Sequence, residues 1–185
     1  MRPTAAELAA ALGLEPHPEG GYFVETFRAA PTTPTARGER PAATAIMFLV
    51  TEDSPSRLHR LASDELWIYQ AGVPLELVTI APDGGLLRRV LADPGEAGGA
   101  PSGGAAAGGA RVGDAGVPLP QALAPAGSWQ GARLAGGPHL PADRAWALVS
   151  CVVAPGFDFA DFELGERDAL LAAYPQHADL IRDLT

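Results

Sequence analysis

Apolar residues fall along this chain in short blocks separated by turn-forming residues. Thr4 and Glu7 have capping-box spacing, Leu8 and Leu12 are an i, i+4 apolar pair, and Gly13 is a stop signal, so the chain should open with a short helix. Pro16-His17-Pro18-Glu19-Gly20-Gly21 reads as a rigid turn leading into residues 22–28, whose aromatic and β-branched content predicts a strand. A Pro/Thr-rich stretch over 29–41 reads as a loop. Residues 43–50 are a continuous apolar run of a length that suits a buried strand. Residues 65–71 and 75–81 flank Gly72 and Pro74 and predict a hairpin. After the turn at 82–85, further strands are expected at 86–91, 121–124, 129–134 and 146–153. Residues 168–174 and 177–184 have helical spacing split by Pro175, giving a helical tail over 166–185, docked or partly frayed. Many short strands with turns between them predict an all-β sandwich or barrel.

Composition adds bounds to this pattern. A chain of 185 residues with 47% hydrophobic and 19% charged residues fits one globular domain, 1–185. Residues 95–118 stand apart, with nine Gly and seven Ala among 24, and read as a flexible surface insertion. The net charge of −9, with Arg supplying all 13 basic residues, argues against a nucleic-acid partner. No apolar run approaches the roughly 18 residues of a membrane span, and the N-terminus makes a poor secretory signal. The single cysteine, Cys151, excludes an internal disulfide framework and reads as an inert buried thiol. The expected setting is cytoplasmic.

Two segments carry chemistry. One runs from His59 through Glu65 to Gly72. The other is Pro125-Ala126-Gly127-Ser128-Trp129-Gln130. Together they resemble the two motifs of the cupin superfamily. His59, Glu65 and Gly72 match the first, H-x-H, three or four residues, E, six residues, G. Pro125 and Gly127 match the second. A closer resemblance, to the cupin-5 group (the former DUF985), rests on four blocks in order: Leu14 to Phe23 with Glu25 to Arg28, Ser63 to Trp67, Pro125 to Gln130, and Val153 to Phe159. It implies a double-stranded β-helix jelly roll with short N- and C-terminal helices, often a homodimer, that binds a small molecule.

The resemblance also frames a site. A metal-binding cupin offers three His and one carboxylate, whereas here Leu61 and Gln130 stand at two of the His positions. His59, Glu65 and Gln130 would be the ligands if a divalent metal bound, and no cofactor is expected. Side chains repeat every two residues along a strand, so Trp67 and Tyr69 should share the face of Glu65. The favoured reading is an isomerase, epimerase or lyase working by proton transfer. His59 would be the base, Glu65 would tune it, and Tyr69 would be the acid partner. Gln130, Trp67, Trp129, Arg28, Glu25 and His17 would contact the substrate. A non-catalytic ligand-binding cupin and a metal-dependent cupin enzyme are the alternatives. For Glu19, Glu25 and Arg28, an ion pair on a strand face is the commoner outcome.

Overall fold

The computed structural model describes residues 2–95, 118–135 and 140–185. Thr4 caps helix α1 (Ala5–Leu12): its hydroxyl accepts from the Glu7 N–H, while Glu7 reaches back to the Thr4 N–H. The strands that follow are β1 (Glu15–Pro16), β2 (Tyr22–Arg28), β3 (Thr32–Thr35), β4 (Gly38–Pro41), β5 (Thr44–Thr51), β6 (Ser56–Leu61) and β7 (Asp64–Gly72). After them come β8 (Leu75–Ile80), β9 (Leu86–Leu91), β10 (Gln121–Ala124), β11 (Trp129–Leu134), β12 (Trp146–Ala154) and β13 (Phe162–Leu164). Helices α2 (Arg167–Ala173) and α3 (Ala178–Asp183) end the chain. The insertion expected over 95–118 lies outside the described residues apart from Gly95 and Pro118.

The main strands form two antiparallel sheets, β1-β2-β5-β12-β7-β10 and β13-β6-β11-β8-β9, packed face to face as a jelly roll. Alternation governs what lies between them. On β7, Glu65 and Trp67 point inward, and on β11 Gln130 and Ala132 do. Trp67, Phe48, Leu75, Leu77, Leu91 and Val149 fill one end of the interior. The outer face of the five-stranded sheet is apolar too. Leu58, Val78, Ile80 and Trp129 on that face take Leu170, Leu180, Ile181 and Leu184 from the C-terminal segment, so the tail is docked. The Leu58 N–H donates to the Leu184 carbonyl at 2.7 Å, which ties the tail to the strand that carries His59.

Residues 29–41 depart from the expected loop. They hold the two-stranded hairpin β3–β4, which lies apart from both sheets. Arg40 grips Asp161 through two nitrogens and Arg37 adds a third bond, so the hairpin is pinned to the segment just after the cavity-lining residues 157–159. Among the described residues no helix is long and apolar enough to cross a membrane.

Candidate functional site

A cavity of about 250 Å³ opens between the sheets against the packed core, and Phe48 and Cys151 belong to both. Cross-strand register builds it. Val153 on β12 sits between Thr44 on β5 and Glu65 on β7, and all three line it. From the facing sheet, β6 contributes His59, which pairs with Gln130 of β11. The turn before β2 closes the floor. Gly20 has φ 107°, and a Cβ there would lie 2.1 Å from the Pro55 carbonyl oxygen, so only glycine fits. This turn brings His17 and Glu19 into the cavity.

Glu19 is the residue that sequence reasoning placed wrongly. It is 6% exposed, and its Oε2 lies 3.3 Å from His17 Nδ1 and 3.4 Å from His59 Nε2. The Ser56 hydroxyl donates to its other oxygen at 2.7 Å. Burial alone would push the Glu19 carboxyl up. The His59 charge and the bonds from His17 and Ser56 outweigh it and hold the carboxyl below its ordinary value. The available signal was the run of prolines and glycines around Glu19, a turn too constrained to leave that side chain free.

His59 is 1% exposed. Its Nδ1 lies 2.9 Å from the Arg57 carbonyl oxygen, and its Nε2 faces Glu19 at 3.4 Å and Glu65 at 3.9 Å. Both nitrogens therefore meet only acceptors, and the ring is held with both protons. Burial works against that charge. The carboxylates of Glu19 and Glu65 and the Arg57 carbonyl prevail, and the pKa rises from 6.5 to about 9. A doubly protonated ring has no lone pair to accept a proton, so this setting does not favour His59 as the base.

His17 differs. Its Nδ1 meets one donor and one acceptor at the same distance, the Glu19 N–H and the Glu19 carboxylate, both at 3.3 Å. Phe23, Phe48, Phe159 and Phe162 pack around the ring. Among the described residues nothing engages its Nε2, and no buried side-chain polar atom there lacks a partner, so Nε2 looks out onto the cavity.

The other expected residues divide. Glu25 and Arg28 line the mouth and pair twice, at 2.9 and 2.6 Å. Three residues apart on a regular strand they would face opposite ways. The register shift between Glu25 and Phe27 turns both toward the cavity. Gln130 and Trp67 lie behind the cavity wall: the Trp67 indole donates to Gln130 Oε1 at 3.1 Å, and Gln130 Nε2 donates to Glu65 at 2.5 Å. Tyr69 is four residues from Glu65, roughly 13 Å along the strand, and its hydroxyl donates to the Gly72 carbonyl. Trp129 faces the opposite way, under the C-terminal helices, with Arg60 over its ring at 4.7 Å. Neither Tyr69 nor Trp129 lines the cavity. Cys151, on the inward face of β12, does, and burial followed by the charges of Glu65 and Glu19 keeps its thiol well up and protonated.

A model of the cupin superfamily's DUF985 group matches residues 6–165. The chain belongs to the cupin superfamily. Among solved structures, this cupin is similar to a hypothetical protein from Leishmania major, with 36% identity, TM-score 0.80 and 98% of each chain covered. A protein from Shewanella oneidensis is 31% identical with TM-score 0.76, covering 98% of this chain and 97% of that one. A cupin 2 domain-containing protein from Halorhodospira halophila shares the fold at 13% identity and TM-score 0.50 over 91% of this chain and 84% of that one. The comparison with curated proteins finds no match.

Many cupins hold a metal, and the donor set here does not fit that centre. Leu61 has no donor atom. An indole N–H can only donate, so it fixes the Gln130 amide with its oxygen toward Trp67 and its NH₂ toward Glu65. That turns the Gln130 oxygen away from Glu65, the other candidate ligand beside it. Among the described residues no group of three His, Cys, Asp or Glu is arranged to hold a metal ion.

Proposed function

We propose that this cupin binds a small polar metabolite and moves a proton at one of its carbon atoms, as an isomerase, epimerase or lyase. The observation that carries the reading is His17, with Nε2 open to the cavity and Nδ1 between a donor and an acceptor of Glu19. With the proton on Nδ1, that proton faces the carboxylate, the Glu19 N–H gives up its bond to Nδ1, and Nε2 has a lone pair. It takes a proton from the substrate carbon, whose C–H electron pair stays on the substrate. The imidazolium so formed sits beside Glu19. Nε2 then returns the proton to the same carbon or a neighbouring one, or a leaving group departs first. His59 holds Glu19 and Glu65 in place and supplies fixed positive charge near the reacting centre.

Binding without turnover is the second reading. It is favoured by Tyr69, the expected acid partner, whose hydroxyl is engaged by Gly72 away from the cavity. The homodimer rests on the resemblance, and light scattering tests it.

Solvent-deuterium labelling separates the two readings. The protein is incubated in D₂O with a pool of small metabolites, and carbon-bound deuterium is read by mass spectrometry. The wild type should label at least one metabolite and His17→Gln should not. If metabolites bind and none gains carbon-bound deuterium, proton transfer is refuted and binding alone remains.

A further inference from the structure

The charges lining the cavity do not balance. Four carboxylates face it, Glu19, Glu25, Glu65 and Asp158, against two cationic side chains, Arg28 and His59. Arg28 is already occupied by its two bonds to Glu25. His59 stands between Glu19 and Glu65, both more than nine-tenths buried, and cancels one of those two charges. The floor therefore sets two buried carboxyl groups against one imidazole, an arrangement that a ligand cation favours. At the mouth, Asp158 accepts from the Ala160 N–H among the described residues, and the charges of Arg28 and Arg40 act on it without a hydrogen bond. Aromatic side chains line the walls between, Phe23, Phe48, Phe157 and Phe159. Ring faces attract cations. The His17 side chain, 6% exposed, lines the same space, and its Nε2 has no partner among the described residues. The volume of about 250 Å³ is below that of most drug-sized sites, which calls for a compact ligand.

We propose that the ligand carries a positively charged nitrogen, an ammonium or amidinium group on a small body, held between the Glu19–Glu65 floor and the phenylalanine walls. The inference rests on the reading of this cavity as the ligand site. It gives Glu25 a specificity role. By occupying the Arg28 guanidinium, Glu25 denies an anionic ligand its natural partner. Both side chains are on the exposed rim, 38% and 46% accessible, so the pair can be altered without disturbing the core.

Three probes of nearly one size and three charges test this: benzylammonium, benzyl alcohol and benzoate. Each is titrated into the full-length protein at pH 7 and low salt. Affinity is read from backbone amide shifts of cavity residues such as Ile46, Cys151 and Val153. Benzylammonium should bind at least tenfold tighter than benzyl alcohol, with benzoate weakest. Glu25→Gln should raise benzoate affinity at least tenfold, and Asp158→Asn should lower that of benzylammonium several-fold. Equal binding of the three probes, or tighter binding of benzoate, overturns the charge inference and leaves the cavity a ligand site. If none of the probes shifts the cavity residues, the ligand-site reading itself falls.

Discussion

Alkali should loosen this fold through one side chain, His59. The folded protein holds its proton up to about pH 9, against 6.5 for an unperturbed ring. At about 1.4 kcal/mol per pH unit, that difference comes to about 3 kcal/mol. Because the folded value is raised, the contribution is fully present below pH 6.5 and disappears as pH rises through 9. The lowered value of Glu19 is the same contact seen from its partner, and it is lost instead on acidification below 4.5. Urea denaturation at a series of pH values from 5 to 10 measures the effect. Stability should fall by about 3 kcal/mol between pH 6 and 10, equivalent to roughly 6–12 °C in melting temperature for a chain of this size. The His59→Gln variant should be less stable at pH 6 and nearly flat from there to pH 10. An NMR titration of the His59 ring in the wild type gives the same pKa without any variant. A wild-type profile that is flat or rising, or a ring that titrates near 6.5, would show that the two carboxylates do not hold the proton on His59.

Other outcomes follow from named contacts. Ser56→Ala leaves Glu19 Oε1 buried without its donor and should cost roughly 1–3 kcal/mol by urea denaturation, with acid unfolding moved to higher pH. Trp67→Phe orphans the Gln130 carbonyl oxygen and should cost at least a similar roughly 1–3 kcal/mol, so unchanged stability would show the amide to be differently oriented. Asp161→Asn weakens the grip of Arg37 and Arg40, and hydrogen exchange should quicken in β3–β4 well before it does in β5. Leu184→Ala should cost about 2–5 kcal/mol, because Leu184 is buried between the C-terminal helix and the five-stranded sheet.

Much of this fold could be read from local pattern. The strands β2, β9, β10 and β11 have the limits expected of them, and the capping box of α1 is formed on both sides. Local pattern works there because alternation, apolar runs and turn residues act over a few neighbours. The hairpin β3–β4 escaped notice because Thr and Pro give it no apolar stripe, and what holds it is Asp161, about 120 residues away. The site was legible in part for the same reason. The cavity residues His59 and Glu65 sit on motif spacing, and alternation put Trp67 on the face of Glu65. Alternation could not say how far along the strand the cavity ends, so Tyr69 was expected in it and lies beyond it. Nor could spacing reveal that the turn at Gly20 folds Glu19 under His59, which sets a second carboxylate against that imidazole.

The position of β12 has a consequence for how the chain reaches this state. It is the last long strand in the sequence, yet it fills the slot between β5 and β7, which lie about 100 and 80 residues earlier. Until it inserts, β5 and β7 present two unsatisfied edges separated by roughly 10 Å, the width of one missing strand. Cys151 and Val153 are absent from the cavity for the same interval. Pairing over such separations makes folding slow, in the millisecond-to-second range typical of β-sandwiches. At high concentration the open slot also accepts the β12 of another molecule, so strand exchange between copies is the misassembly this topology invites.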